Sequence, residues 1–345
     1  MAGGIGSRFW PLSKDNYPKQ FLDILGTGKS FIRSTYERFS PVIPDENFLV
    51  VTNAAYRQLV LEHLPMLQPD QVLCEPARRN TAPCIAYACY HIQSRCKDAN
   101  IVVTPADHLV TNEVEFQRII QLGFDFLASQ GHNDSLMTIG IKPSRPETGY
   151  GYIQVPKDEK LTEVVKVDMF KEKPDYDTAV KFVNEGNYFW NSGIFIWTLD
   201  GIMKAFKTFL PEMVKLFDEG MDKFGTEHEQ AFINKKFLDC QNISIDYGIM
   251  EKSPDTYTIP ADFGWSDIGT WGSLFTHAGK DEHNNAISGK VVSVDNHNTI
   301  VNIEKGVEAV VEGLDDYLVA YRDNSLLVCK LKDEQQIKVW IEGLK

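Results

Sequence analysis

Three glycines close together, Gly3, Gly4 and Gly6, open the chain; Arg8 follows two residues later, and Lys19 stands in Pro18-Lys19-Gln20-Phe21. A backbone without Cβ atoms can turn tightly and bring its N–H groups against an anion. Arg8 adds a guanidinium fork suited to phosphate oxygens, and Lys19 a second, more mobile cation. These residue types at this spacing predict the binding of a phosphorylated ligand.

The run is neither of the two common phosphate loops. A dinucleotide fingerprint needs a glycine where Phe9 stands, and a Walker A loop needs G-x-x-x-x-G-K-[ST]. Gly28-Lys29-Ser30 supplies the second half of a Walker A, but Asp23 replaces its first glycine. Gly26 to Gly28 therefore reads as a turn and Ser30 as a helix N-cap.

The full pattern, G-G-x-G-x-R-x-x-P-L-S-x(4)-P-K-Q from Gly3 to Gln20, resembles the signature of sugar-nucleotide pyrophosphorylases, and the whole chain is similar to the mannose-1-phosphate guanylyltransferases within that group. The resemblance implies a nucleotidyltransferase with a Rossmann-like domain and Mg²⁺, acting on GTP and mannose 1-phosphate. Further stretches carry it. Glu75-Pro76-Ala77-Arg78-Arg79-Asn80-Thr81-Ala82-Pro83 resembles the base-recognition segment, which implies that Glu75, Arg79 and Asn80 lie near the guanine and ribose. Asp107 and Asp267 match the metal-binding aspartates. Glu172-Lys173-Pro174 and Trp190-Asn191-Ser192-Gly193 look like the sugar-phosphate half, with Glu172 and Asn191 on hydroxyls and Lys173 on the phosphate.

Each of these residues also has a structural reading. Asn80 or Thr81 can cap the helix that follows, and Pro83 suits its first turn. Asp107 ends an apolar strand, where an aspartate also serves as a turn residue, and His108 reads as a packing or hydrogen-bonding group. Glu172 and Lys173 can form a surface pair. Gly149 to Tyr152, Gly151 included, offers unobstructed N–H groups to a sugar, whereas Tyr150 and Tyr152 read equally well as core aromatics. Asp246 matches a further family motif and equally reads as a helix N-cap.

The elements that must position these groups alternate as an open α/β sheet requires. Helices are expected over 31–39, 54–64, 81–96, 113–129, 176–185, 245–251 and 334–344. A longer helical stretch over 199–238 is broken by Pro211 and Gly220. Strands are expected at 48–52, 72–74, 101–104, 135–141, 149–153, 164–172 and 195–198. Ligands sit beyond the carboxyl ends of strands in such sheets, where the glycine loop, Glu75 and Asp107 all fall. From about Asn284, short β segments at 289–294, 299–303, 307–312, 317–322 and 325–330, with Asn, Asp and Gly turns, predict a small β-coil. The expected fold is α/β: a Rossmann-like, mostly parallel sheet flanked by helices over 1–283, and a β-helix-like module over 284–345 that is a candidate for homodimerisation. The strand that usually feeds a glycine loop would lie ahead of Met1, and a version extended there by apolar residues is expected to be the more stable.

With 345 residues, 43% hydrophobic and 24% charged, the chain can bury a large α/β core and a smaller appendage. Its net charge of -13 argues against nucleic acid as a partner, because such binding needs a positive surface to replace counterions. No apolar window suits a membrane span and no leader pattern opens the sequence, so a cytoplasmic location is expected. The six cysteines have no C-x-x-C spacing and read as reduced packing residues. The resulting expectation is in-line transfer of a guanylyl group from GTP to mannose 1-phosphate, giving GDP-mannose and pyrophosphate. A pyrophosphorylase for another base or sugar, and a non-catalytic subunit that senses sugar nucleotides, stand as alternatives. The additional isomerase domain of some longer relatives is not expected.

Overall fold

The computed structural model describes residues 1–157 and 163–344, which form two compact units. The first comprises Met1–Gly3, Glu37–Pro105 and Val110–Trp265. Its main sheet has seven strands, running in order Val165–Lys166, Thr256–Ala261, Leu136–Ile141, Tyr188–Thr198, Tyr152–Gln154 and Met169–Lys171, with Asn100–Val103 also paired to Tyr188–Thr198. The strand Tyr188–Thr198 alternates its faces with period two. Phe195 and Trp197 pack into a core with the helices Thr81–Arg95, Leu199–Phe209 and Pro211–Asp218. Ile194 and Ile196 point into a second core with Glu113–Ala128 and Tyr176–Glu185.

Helices on both faces of a sheet agree with the expected α/β class. Pairing within the sheet is mixed: Leu136–Ile141 runs parallel to Thr256–Ala261, whereas Tyr188–Thr198 runs antiparallel to three neighbours. That strand begins at Tyr188, well before the expected 195, and the strand Thr256–Ala261 was not expected. Val50–Asn53 and Val72–Glu75 form a separate parallel pair.

The second unit comprises Gly4–Tyr36, Ala106–Leu109 and Ser266–Lys345. Its β part is a short coil. Ala286–Ser288, Ile300–Ile303 and Tyr317–Arg322 stack in parallel, and Lys290–Val294 pairs in parallel with Glu308–Glu312. Corners are turned by residues with positive φ, among them Asn284, Asp295, Asn298 and Asp316. Buried Asn285 and Asn296 tie successive corners, the first donating to the Asn296 carbonyl at 2.7 Å and the second to the Val311 carbonyl at 2.8 Å. Phe9, Trp271, Leu318 and Ile337 share this unit's core. The final segment is helical but broken: 3₁₀ turns over Leu331–Gln336 and Ile341–Leu344 flank the short helix Ile337–Trp340. From it Glu334 accepts the Gly272 N–H at 2.6 Å, at the start of the helix Trp271–His277.

Candidate active site

In the second unit Gly6 takes φ 70°, the left-handed conformation that favours glycine. A Cβ there would lie 2.5 Å from that of Lys19, so the loop closes over the lysine only because residue 6 has no side chain. Lys19 is 3% exposed. Its ammonium donates to the Asp107 carboxylate at 3.0 Å, the Asp107 carbonyl at 2.9 Å and the Asp267 carbonyl at 2.6 Å. All three N–H bonds are thus spent on the two aspartate segments, with the rings of Phe31 and Phe9 alongside. Burial pushes the Asp107 carboxyl up, but Lys19 and His108 outweigh it and hold it below the usual carboxylate range. Asp267 accepts the Gly269 N–H at 2.9 Å, which fixes its carboxylate close to its own backbone.

Arg8 lies in the 3₁₀ turn Ser7–Phe9 directly after the glycines, and its Nε is buried with no hydrogen-bond partner among the described residues. A buried guanidinium nitrogen without an acceptor costs free energy that an anion would recover. Gly4, by contrast, is exposed and has nothing within 4 Å of a Cβ position.

In the first unit Gly3 faces Glu75, whose Oε2 is 3.6 Å from the position a Cβ would take. Glu75 is 5% exposed, its Oε1 has no hydrogen-bond partner among the described residues, and burial pushes its carboxyl up to about 7. Asn80 is the N-cap of Thr81–Arg95: its φ is 67° and its side-chain oxygen accepts the Thr81 N–H. Thr81 instead accepts the Ile245 N–H at 2.8 Å. Arg79 donates to the Leu238 carbonyl at 2.6 Å, which anchors one edge of its guanidinium.

A second cluster of the same unit gathers Gly151, Glu172, Lys173, Asn191 and Asp246. A Cβ on Gly151 would fall 2.5 Å from Glu172 Oε2 and 3.3 Å from Asn191 Cβ, so only glycine lets those side chains meet. The Glu172 carboxylate pairs with Lys173. Asn191 accepts the Thr138 hydroxyl at 2.9 Å and the Gly193 N–H at 3.1 Å, and donates to Asp246 at 2.9 Å. Burial and the nearby Glu172 charge push the Asp246 carboxyl up to about 7. Asp246 is not an N-cap: it lies inside a helical turn that Ile245 precedes, with its carboxylate on Asn191. Tyr152 is fully buried in the core, and Tyr150 packs on Trp190 and Trp265.

The family model described as nucleotidyl transferase matches residues 1–284. The chain belongs to the nucleotidyl transferase family. Along its whole length it is 34% identical to a mannose-1-phosphate guanylyltransferase of Escherichia coli, covering 74% of that protein. A xanthan biosynthesis protein of Xanthomonas campestris is likewise 34% identical over the whole chain, with 72% of its length covered. Among solved structures, one titled as a mannose-1-phosphate geranyltransferase of Thermus thermophilus superposes with a TM-score of 0.86 at 27% identity, covering 100% of this chain and 97% of that one.

For this nucleotidyl transferase a divalent cation is the implied cofactor. Among the described residues no group of three or more His, Cys, Asp or Glu side chains could hold a metal alone. Two aspartates tied to one ammonium, Asp107 through its carboxylate and Asp267 through its backbone carbonyl, fit a cation that takes one or two carboxylates and completes its shell with water and substrate phosphate. The sequence reading assigned no part to Thr138, which orients Asn191, or to Glu251, which accepts the Glu172 N–H at 2.8 Å. Thr138 reads simply as a strand residue, and only the strand pairing identifies it.

Proposed function

We propose that the chain joins GTP and mannose 1-phosphate to give GDP-mannose and pyrophosphate, using Mg²⁺. The observation that carries this reading is the Lys19–Asp107–Asp267 cluster beneath a glycine loop that bears the unpartnered Arg8 nitrogen. The choice of guanine and mannose is supported by the relatives' names.

A phosphate oxygen of the sugar attacks the α-phosphorus in line. One P–O bond forms there as the bond to the β-bridging oxygen breaks, and pyrophosphate leaves. The nucleophile is already an anion, so the barrier is chiefly one of positioning and charge. Gly3, Gly4, Gly6 and Arg8 hold the β- and γ-phosphates. Lys19 first fixes Asp107 and Asp267 and offers positive charge to the reacting phosphates, and Lys173 neutralises the sugar phosphate. Glu172, Asn191 and the Gly151 backbone hold the sugar, while Glu75, Arg79 and Asn80 shape the base site. When bound by Asp107 and Asp267, Mg²⁺ supplies charge neutralisation at the phosphate oxygens.

The reaction's phosphorylated substrates support a cytoplasmic location. Exposed Val292, Val310, Leu326 and Val328 support a homodimer through the 284–345 module, which sedimentation of the purified chain tests. The deciding assay measures pyrophosphate from mannose 1-phosphate, Mg²⁺ and each nucleoside triphosphate in turn. GTP should exceed ATP by on the order of 10⁴ in kcat/KM, because the wrong base leaves polar groups of the site unpaired. Equal use of the two purines overturns the guanylyl assignment, and no pyrophosphate with any nucleotide overturns catalysis.

A further inference from the structure

Within the second unit, Asp267 is held in a turn that its neighbour disfavours. Ile268 has φ 41°, a left-handed conformation that a β-branched residue rarely adopts. The Asp267 carboxylate folds back over residue 269 to accept its N–H at 2.9 Å, and a Cβ on Gly269 would lie 2.5 Å from Asp267 Oδ2. Such a conformation persists only where the surroundings over-determine it. One end of the turn is fixed by Ser266 and Lys19: the Ser266 hydroxyl accepts the Ile268 N–H at 3.2 Å, and the Asp267 carbonyl accepts the Lys19 ammonium at 2.6 Å. The other end runs into the helix Trp271–His277, where Thr270 and Ser273 exchange bonds as a capping box.

Glu334 closes that end from 62 residues away. Its carboxylate accepts the Gly272 N–H at 2.6 Å, and a Cβ on Gly272 would lie 3.0 Å from Glu334 Oε1, so the approach is close. Burial pushes the Glu334 carboxyl up, against the pull of the Gly272 and Trp271 N–H groups, the Thr270 hydroxyl and the Arg8 charge. Its own place is set one turn later by Ile337, fully buried in the same core as Phe9, Ile268 and Trp271. We propose that Glu334 is a positioning residue for nucleotidyl transfer: by holding the first turn of Trp271–His277 it fixes the strained turn at Ile268 and with it the Asp267 carboxylate. The inference rests on the proposed role of Asp267 as a ligand of the divalent cation. A residue that only staples the final segment to the unit would change stability and leave Asp267 as it was.

The test compares Glu334→Ala and Glu334→Gln with the parent in the full chain. In the metal-free proteins, Glu334→Ala should speed amide exchange at Gly269, whose N–H reports the Asp267 carboxylate, about tenfold or more, and leave Val301 and Leu318 of the β coil within about twofold. With substrates present, it should raise the Mg²⁺ concentration that gives half-maximal pyrophosphate release about tenfold, the scale of losing a group that orients a metal ligand. KM for mannose 1-phosphate should stay within about twofold, since Glu172 and Asn191 belong to the other unit. Glu334→Gln keeps an acceptor oxygen for the Gly272 N–H and should return Gly269 exchange and the Mg²⁺ requirement to within about threefold of the parent. Unchanged Gly269 exchange in Glu334→Ala, or a rise shared equally by the β coil, overturns the proposal, as does an unchanged Mg²⁺ requirement. Glu334→Gln as impaired as Glu334→Ala overturns it too. If the parent itself releases no pyrophosphate, the functional reading fails, and Gly269 exchange still decides whether Glu334 fixes the turn.

Discussion

The Lys19 ammonium lies 3.0 Å from the Asp107 carboxylate, and a further N–H of the same group bonds the Asp107 carbonyl at 2.9 Å. One lysine thus holds both the side chain and the backbone of a proposed metal ligand. Lys19→Met keeps the length and removes the charge. It should lower kcat by about 10²-fold or more, the scale of losing one preorganised donor. By NMR, the Asp107 carboxyl should then titrate higher than in the parent, since the cation that lowers it has gone. An unchanged Asp107 titration would show that the pair does not form.

Asp107→Asn and Asp267→Asn should each depress turnover far more than they depress the thermal midpoint, and chelation of divalent cations should abolish pyrophosphate release by the parent. Near-native rates in both folded variants would remove these residues from the metal assignment.

Gly151→Ala places a methyl 2.5 Å from Glu172 Oε2, so the carboxylate must move. Because Glu172 and Asn191 serve the sugar in the proposed site, KM for mannose 1-phosphate should rise about tenfold or more while KM for GTP stays within about twofold. A parallel rise in both constants would argue for general disruption instead.

Glu75 sets a pH dependence of stability. Its carboxyl is raised to about 7 in the folded protein from an ordinary carboxylate value. A raised acid binds a proton in the folded state that the unfolded state has already released. The stabilisation is therefore full below about pH 4, falls as pH rises, and is gone above about pH 7. Glu75→Gln should flatten the decline in thermal midpoint between pH 5 and pH 8 relative to the parent. A parallel decline in the two proteins would mean that another group is responsible.

Asn80→Ala should cost about 1 kcal/mol through loss of the helix cap. Its effect on base preference is the sharper readout. The GTP-to-ATP ratio of kcat/KM should shrink if Asn80 shapes the base site, and should stay fixed if the residue only caps the helix.

Much of the fold was legible because apolar periodicity and turn residues are local signals. The helices Thr81–Arg95 and Glu113–Ala128 and the β segments beyond Asn284 lie close to where these signals put them. Two strands were obscured for identifiable reasons. Pro260, which removes a ladder donor, sits inside Thr256–Ala261 and masks its strand pattern. Asn191-Ser192-Gly193 reads as a turn, yet it lies within Tyr188–Thr198, where Gly193 takes φ 72° and the pairing with Thr138 and Gly140 shifts register. Residue types pointed to a phosphate loop and to carboxylates. The contacts made by Lys19 were not legible, because no local pattern records which backbone carbonyl a distant lysine will find.

Lys19 and Asp267 are 248 residues apart in the chain. The glycine loop is synthesised well before the carbonyl that takes its lysine. Glu334, which bonds the helix following Asp267, comes later still. At a synthesis rate of about 5 to 20 residues per second, the loop waits roughly 12 to 50 seconds for its partner. Through that interval a nascent chain carries the loop without the contacts that shape it. Competence to handle phosphate should therefore arrive abruptly, once Asp267 and the helix after it have been made.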